Sequence, residues 1–230
     1  PMGMENGAPI GNDLDNLDYF YKEGIRYITL THNKDNQICD SSRDSTQTWG
    51  GLSPFGRDVI ARMNKLGIMV DISHVHDSTF YEAIELSAAP VIASHSSCRA
   101  FAPTVARDMT DDMIRKLGEK DGVIMINFFR NFLDSAAGNN SRKLSALLKE
   151  KGFKADDPDG RAVAEQFLKE HPITTSVETV ADHIDHVVKL AGIDHVGIGS
   201  DFDGVDGMLP KGLEDVSTYP NLIYTLLKRG

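Results

Sequence analysis

Short apolar segments of strand length alternate with amphipathic segments along this chain, and that alternation constrains the fold more than any other feature. The apolar segments lack a regular polar alternation, as is typical of parallel strands buried on both faces. Strand and helix in strict alternation predict an α/β fold with a parallel sheet. The predicted strands lie at 1–4, 25–31, 68–72, 91–94, 123–126 and 196–199.

Start and stop signals support the helices predicted between these strands. Ser53 and Pro54 supply an N-cap and a first helical residue for a helix over 55–66. Thr175 and Glu178 have the spacing of a capping box for a helix over 175–190, and Gly192 supplies its stop. The other predicted helices lie at 12–23, 77–86 and 111–117.

The number of strands indicates the architecture. A (β/α)8 TIM barrel has eight strands and roughly 250 residues, so six predicted strands in 230 residues indicate an incomplete barrel in a single domain. A doubly wound open sheet is the alternative, but its G-x-G-x-x-G phosphate turn does not occur. The chain opens at Pro1 and stops within a predicted helix. We therefore expect an interior segment that lacks the first strand or strands and the C-terminal helices.

Residues 134–175 depart from the alternation and form a polar excursion. Leucines at 144, 147 and 148 predict one short helix there, and 162–168 predict another. Two interpretations stay open, a lid over the barrel and a surface insertion without a role.

Five candidate functional side chains follow five different predicted strands. In a barrel, the carboxyl ends of the strands converge on the face where active sites are built. A lone histidine after a strand is usually structural, but five histidine and carboxylate side chains on one face are harder to explain as structural residues. Neutral imidazoles and carboxylates are the usual ligands of Zn²⁺, and two nearby metal ions can activate water. The candidates are Glu5, His32, His74, His95 and Asp201.

Composition excludes several classes of protein. The net charge of -10 argues against nucleic acid or an anionic membrane as the main partner. No apolar run reaches the ~18 residues of a transmembrane helix. Cys39 and Cys98 provide neither a disulfide framework nor a cysteine zinc site. The sequence assigns no compartment and leaves a homodimer open.

The candidate residues lie in motifs that are specific when taken in order. These motifs are GMENG (3–7), RYITLTH (26–32), GLSPFG (51–56), VDISHV (70–75), PVIASHSS (90–97), GIGSDFDGV (197–205) and GLEDV (212–216). Together they resemble the membrane (renal) dipeptidase family, peptidase family M19. The resemblance covers nearly the whole chain except the polar excursion.

The resemblance implies a (β/α)8 barrel with a binuclear zinc site, in which a hydroxide that bridges the metals hydrolyses dipeptides. It implies that Glu5 bridges both zinc ions and that His74 and His95 complete the second zinc site. The family's first zinc ion also takes a His-x-Asp pair at the end of the first strand. No such pair precedes Glu5. Either the pair lies upstream of Pro1, which we expect, or this member of the family has lost its first metal ion.

The resemblance also implies roles toward the substrate. His32 contacts the dipeptide and stabilises the tetrahedral intermediate. Arg107, in Ala-Arg-Asp-Met at 106–109, binds the terminal carboxylate of the dipeptide. Asp201 holds the substrate amine and carries the proton from the attacking water to the leaving amine.

Two alternatives to a dipeptidase stay open. One is another hydrolase on this scaffold, such as a lactonase, deaminase or phosphoesterase. The other is an inactive homologue that only binds metal.

Other polar residues receive structural interpretations. His183 and His186 lie three residues apart on a predicted helix, and we expect a solvated face rather than a metal pair. Asp71 lies inside an apolar strand, where a buried carboxylate needs a partner, and we expect it to support a ligand histidine. His76 is expected to precede the helix N-cap Asp77.

Overall fold

The computed structural model describes residues 2–172 and 175–230. Six parallel strands form one sheet, and their spatial order is their order in the sequence. Sequential parallel strands joined by helices are the arrangement of a (β/α) barrel. Within the described residues β1 and β6 are the sheet edges, so the barrel is not closed, and the predicted six-strand partial barrel is confirmed. The strands are β1 (Met2–Glu5), β2 (Ile25–Thr29), β3 (Met69–Asp71), β4 (Ile92–Ser96), β5 (Val123–Ile126) and β6 (Val196–Ile198).

Helices follow the strands as the periodicity predicts. The helices are α1 (Asp15–Lys22), α2 (Pro54–Leu66), α3 (Asp77–Leu86), α4 (Asp111–Glu119), α5 (Arg130–Leu133), α6 (Ser135–Lys151), α7 (Pro158–Glu170), α8 (Val177–Ala191) and α9 (Tyr219–Arg229). The start of α2 is confirmed, because Ser53 Oγ accepts a 2.8 Å hydrogen bond from Gly56 N. Within the described ranges, none of these helices is long and apolar enough to cross a bilayer.

Two predicted N-cap residues are off by one position. Ser176 is the N-cap of α8, and it donates its backbone N–H to Thr179 Oγ1. The predicted pair was Thr175 and Glu178, but Thr175 accepts a backbone hydrogen bond from Lys211 and lies before the helix. At α3, His76 is itself the N-cap, since its side chain accepts a hydrogen bond from Ser78 N.

The polar excursion contains α6 and α7, which are longer than the two short helices predicted there. Asp134 caps α6 by accepting a hydrogen bond from Ala137 N at 2.7 Å. Gly138 lies on α6 where a Cβ atom would be 3.2 Å from Asn131 O, so α6 packs closely against α5. The polar excursion is therefore packed against α5, the short helix that follows β5.

The core lies between the sheet and its helices. Ile28, Val70 and Ile124 are buried on the strands, and Phe80 and Ile114 are buried on α3 and α4. The apolar side chains of both layers are buried together. This packing holds the carboxyl ends of the strands in a fixed arrangement.

Candidate metal centre

Three histidine rings surround the carboxylate of Glu5, the last residue of β1. Glu5 Oε1 is 3.0 Å from His74 Nε2, 3.2 Å from His95 Nε2 and 3.6 Å from His32 Nε2. His95 lies within β4, and the other two histidines lie three residues after β2 and β3. The strand ends thus bring four of the five candidates to one point.

Local electrostatics set the protonation of this cluster. Hydrogen bonds from His74 and His95 hold the pKa of Glu5 well below its usual range, although the side chain is half exposed. Burial lowers the pKa of His74 to about 3, although the hydrogen bond that His74 donates to Glu5 acts to raise it. At neutral pH, Glu5 is ionised and His74 is neutral, which are the forms that bind metal ions.

A buried carboxylate orients His95 through a serine. Asp71 Oδ2 accepts a 2.5 Å hydrogen bond from Ser94 Oγ, which lies 2.8 Å from His95 Nδ1. Since the Ser94 hydroxyl proton is directed at Asp71, Ser94 Oγ accepts from His95 Nδ1–H, which fixes the ring with Nε2 facing Glu5. Asp71 also accepts hydrogen bonds from Thr29 Oγ1 and Ser73 N. This indirect contact agrees with the support that was expected of Asp71.

The donor set fits a divalent metal ion. His74 Nε2 and His95 Nε2 are only 2.9 Å apart, and the buried Nδ1 of His74 has no hydrogen-bond partner in the described residues. Two imidazole nitrogens that face one carboxylate oxygen are the ligand types that Zn²⁺ prefers. Glu5, His32 and His74 also offer ligand atoms within 4.8 Å of one another. His32, expected to contact substrate, therefore lies close enough to act as a ligand.

Asp201 follows β6 in a left-handed backbone conformation, with φ at 60°. Its Oδ2 accepts a 2.9 Å hydrogen bond from Asn127 Nδ2. A Cβ atom at Gly204 would lie 2.2 Å from Asp201 Oδ1, so only glycine there leaves room for this carboxylate. Left-handed conformations of non-glycine residues are strained and concentrate at functional sites. His74 shares the feature, with φ at 70°.

Arg107 is 5% exposed and is fixed by two hydrogen bonds. Its Nη1 donates to Ser96 Oγ at 2.8 Å, and its Nη2 donates to His95 O at 2.7 Å. Burial lowers the pKa of Arg107 to about 10, so the guanidinium stays charged at neutral pH. One of its donors, Nε, is buried and has no partner in the described residues.

The candidate residues share two neighbouring cavities. The larger, of about 390 Å³, is referred to below as the central cavity. The smaller, of about 330 Å³, is lined by Glu5, His95 and Asp201. All six predicted site residues therefore border one or both cavities. Those that line the central cavity are Glu5, His32, His74, Arg107 and Asp201.

Some residues were missed or misjudged from sequence. Asn127, which positions Asp201, follows β5 as the candidates follow their strands, and that signal could have identified it.

The predicted solvated face for His183 and His186 is wrong. His183 is fully buried, with Nδ1 accepting from Cys98 N and Nε2 donating to Leu133 O. His186 Nε2 lies 2.8 Å from Asp111 Oδ1. Neither histidine belongs to the Glu5 cluster.

A partial (β/α) barrel with a histidine and carboxylate cluster at its strand ends defines the class of TIM-barrel proteins with candidate metal ligands at the active-site face. Within that class, the chain belongs to the membrane dipeptidase family, peptidase family M19, whose model matches residues 1–230.

Curated relatives include two fungal proteins. The chain is 37% identical over its whole length to an uncharacterized dipeptidase of Schizosaccharomyces pombe and covers 47% of that protein. It is 36% identical to a dipeptidase of Claviceps purpurea, with 100% of this chain and 45% of that protein covered. The chain thus spans about half the length of the curated relatives that it matches.

Solved structures are similar over the whole chain. The probable dipeptidase PvdM of Pseudomonas aeruginosa superposes with a TM-score of 0.83 and 32% identity, covering 100% of this chain and 63% of that one. A metallo peptidase of Rhodobacter sphaeroides, liganded with a phosphinate mimic of the dipeptide L-Ala-D-Ala, superposes with a TM-score of 0.76 and 30% identity. That match covers 100% of this chain and 56% of the other.

Proposed function

We propose that the protein is a zinc-dependent dipeptidase whose centre is the Glu5 cluster. The observation that carries the proposal is the convergence of His74 and His95 Nε2 on Glu5 Oε1, at 3.0 and 3.2 Å. Family membership and the dipeptide mimic bound by the R. sphaeroides relative support dipeptides as the substrate class.

Glu5, His74 and His95 are the proposed metal ligands, with Glu5 in the bridging role that the resemblance implies. A divalent ion held by these residues would polarise the scissile carbonyl and lower the pKa of a water bound to it. The chain prepares this centre by keeping Glu5 ionised and His74 neutral. Asp71 and Ser94 hold the His95 ring so that its Nε2 atom faces Glu5.

Asp201 and His32 are the proposed groups that act on the substrate. Asn127 donates to one oxygen of Asp201, which leaves Asp201 Oδ1 to accept a proton or bind the substrate amine. His32 borders the central cavity with one ring nitrogen 3.6 Å from Glu5. From that position, an N–H of His32 can stabilise negative charge that develops on the carbonyl oxygen.

Arg107 is the proposed anchor for the free carboxylate of the dipeptide. A guanidinium has five N–H donors, and the hydrogen bonds to Ser96 and His95 O occupy two of them. The others can bind a carboxylate at the wall of the central cavity. Because this anchor fixes the distance from the free carboxylate to the scissile bond, it favours dipeptides over longer chains.

A substrate panel tests the proposal. The full protein, loaded with Zn²⁺, is assayed with neutral dipeptides, tripeptides, lactones and phosphodiesters. Hydrolysis of the dipeptides with kcat/KM at least ~100-fold above the other classes is expected, since several transition-state contacts are specific to them. Elemental analysis measures bound zinc in the same preparation. Selective lactone or phosphodiester turnover, or no bound metal after zinc supplementation, contradicts the proposal.

A further inference from the structure

A separate cavity of about 340 Å³ adjoins the central cavity. Both are lined by Arg43, Arg107, Phe129 and Phe132, so these four residues form the wall between them. The far wall is the α6 segment of the polar excursion, which contributes Arg142. We call this space the arginine cavity.

Three arginines and no acidic residue line the arginine cavity, although the whole chain has a net charge of -10. Within the described ranges, Arg43 forms no salt bridge. Arg142 donates only to the neutral side chains of Thr104 and Asn139. Arg107 donates to a hydroxyl and a backbone carbonyl. Positive charge concentrated in a concave site attracts anionic ligands.

Unpaired polar atoms occur in the same walls. Ser42 Oγ, Arg107 Nε and Asn131 Oδ1 are buried, and none has a hydrogen-bond partner in the described residues. All three residues line the arginine cavity. A buried donor or acceptor without a partner costs free energy, and native proteins rarely leave one without a reason. Three of them around one cavity indicate a site that is completed by a polar ligand.

The wall between the cavities is held in place by an aromatic ring. The guanidinium carbons of Arg43 and Arg107 lie 5.8 and 5.9 Å from the centre of the Phe132 ring. Phe132 is buried, so its ring is fixed by packing, and the two cations are held near it by cation–π attraction. Arg107 is also buried and held by two hydrogen bonds, so its position is set before a ligand binds, whereas Arg43 is exposed.

We propose that the arginine cavity receives an acidic side chain on the C-terminal residue of the dipeptide. This inference rests on the proposed function, in which Arg107 binds the free carboxylate of that residue. The side chain branches from the carbon next to that carboxylate, so it begins at the shared wall. An aspartate or glutamate side chain extends one or two methylene groups further and places its carboxylate among Arg43, Arg107 and Arg142. The substrate class is a dipeptide that ends in an acidic residue.

Dipeptides that differ in the charge of the second side chain provide the test. The zinc-loaded full protein is assayed with Ala-Glu, Ala-Gln and Ala-Lys, each with both enantiomers of the second residue. A charge-assisted hydrogen bond contributes enough to give about a tenfold preference in kcat/KM for Ala-Glu over Ala-Gln. The preference should lie mainly in KM and should decrease as ionic strength rises, because neither Arg43 nor Arg142 is fully buried.

Variants assign the preference to this cavity. Arg43→Gln and Arg142→Gln should each lower the Ala-Glu to Ala-Gln ratio severalfold. Arg142→Glu should raise Ala-Lys turnover relative to Ala-Glu, a gain that misfolding cannot produce. Arg161→Gln is the matched control, since Arg161 is an exposed arginine on α7 that lines neither cavity. It should leave the ratio unchanged.

Two failures are distinguishable. If Ala-Gln and Ala-Glu are hydrolysed with equal kcat/KM, the arginine cavity is not the acidic subsite. The same holds if the Ala-Glu to Ala-Gln ratio is the same in Arg43→Gln and Arg142→Gln as in the parent. In both cases the dipeptidase proposal stands. If the zinc-loaded protein hydrolyses none of the three dipeptides, both proposals are overturned.

Discussion

The Nε2 atoms of His74 and His95 lie 2.9 Å apart, and each also faces Glu5 Oε1. Burial lowers the pKa of His74 to about 3, so this pair is not held together by a charged imidazolium on His74 at neutral pH. Both ring nitrogens face one carboxylate oxygen, and imidazole nitrogens and a carboxylate are ligands that one divalent cation can share.

Replacement of His95 with alanine should remove a metal ligand. We expect zinc affinity to fall by about 100-fold or more, because loss of an outer hydrogen-bond partner alone costs about 10–100-fold. Competition with a chromophoric chelator measures the affinity. His186→Ala is the control, since His186 contacts Asp111 rather than Glu5. Equal zinc affinity in the two variants would remove His95 from the ligand set.

Asp71→Asn should weaken metal binding without touching a ligand. Asp71 accepts four hydrogen bonds, two of them from Ser94, and an amide NH2 group cannot accept the bond from Ser94 Oγ. The His95 ring then loses its fixed orientation, and zinc affinity should fall about 10–100-fold. The same chelator competition measures the change.

Asp40→Asn is a matched control for the loss of a buried carboxylate. Asp40 is fully buried and accepts backbone hydrogen bonds from Trp49 and Gly51, away from the metal ligands. It should lower the free energy of unfolding but not zinc affinity. If both variants lose stability and neither loses zinc, the indirect support of His95 is refuted.

The residues at the carboxyl ends of the strands could be predicted from the sequence for a physical reason. Apolar runs identify buried strands, and in parallel topology the residue after each run is brought to the same edge. Glu5, His32, His74 and Asp201 could therefore be grouped before any coordinates. The same rule applied to Asn127 would have identified the hydrogen-bond donor of Asp201.

Features that depend on tertiary packing were not predictable in this way. His183 is buried because α8 packs beside Phe101, whose ring centre lies 4.5 Å from that of His183, and the helix periodicity alone does not reveal this neighbour. The N-cap of α8 is Ser176 rather than Thr175 because a distant residue, Lys211, pairs with the backbone before the helix. The arginine cavity joins several separate segments, and no local pattern marks such a site.

Gly204→Ala should impair the proposed hydrolysis more than folding. The added Cβ atom would lie 2.2 Å from Asp201 Oδ1 and must displace the carboxylate. We expect kcat for a neutral dipeptide to fall at least ~10-fold, because a displacement of about 1 Å at a catalytic group can cost about 100-fold. Steady-state kinetics and thermal unfolding measure the two effects.

Gly207→Ala is the control in the same loop. Gly207 has φ at 69°, and no atom of the described residues lies within 4 Å of the place where a Cβ atom would stand, so alanine there adds backbone strain without a contact. It should cost about 1 kcal/mol of stability and leave kcat within about twofold of the parent. Equal kcat in the two variants contradicts the role of Gly204.

His183 should make the stability of the metal-free protein depend on pH. Burial is the main cause that lowers the pKa of His183 to about 4, whereas an unfolded histidine titrates near ~6.5. As the pH falls below about 6.5, the unfolded chain binds a proton that the folded chain does not, so stability decreases down to about pH 4. Above that window the contribution is fully present.

His183→Ala tests this dependence. It should lower stability at pH 8 by about 2–3 kcal/mol, since it removes two buried hydrogen bonds and leaves a cavity. It should also make the loss of stability below about pH 6.5 smaller than in the parent. Some loss should remain, because His74, whose pKa is also lowered by burial, is present in both proteins. Urea unfolding at a series of pH values measures both effects, with His171→Ala, at the end of α7, as the control for loss of one histidine. Parallel stability curves for parent and His183→Ala would show that His183 does not change its protonation on unfolding.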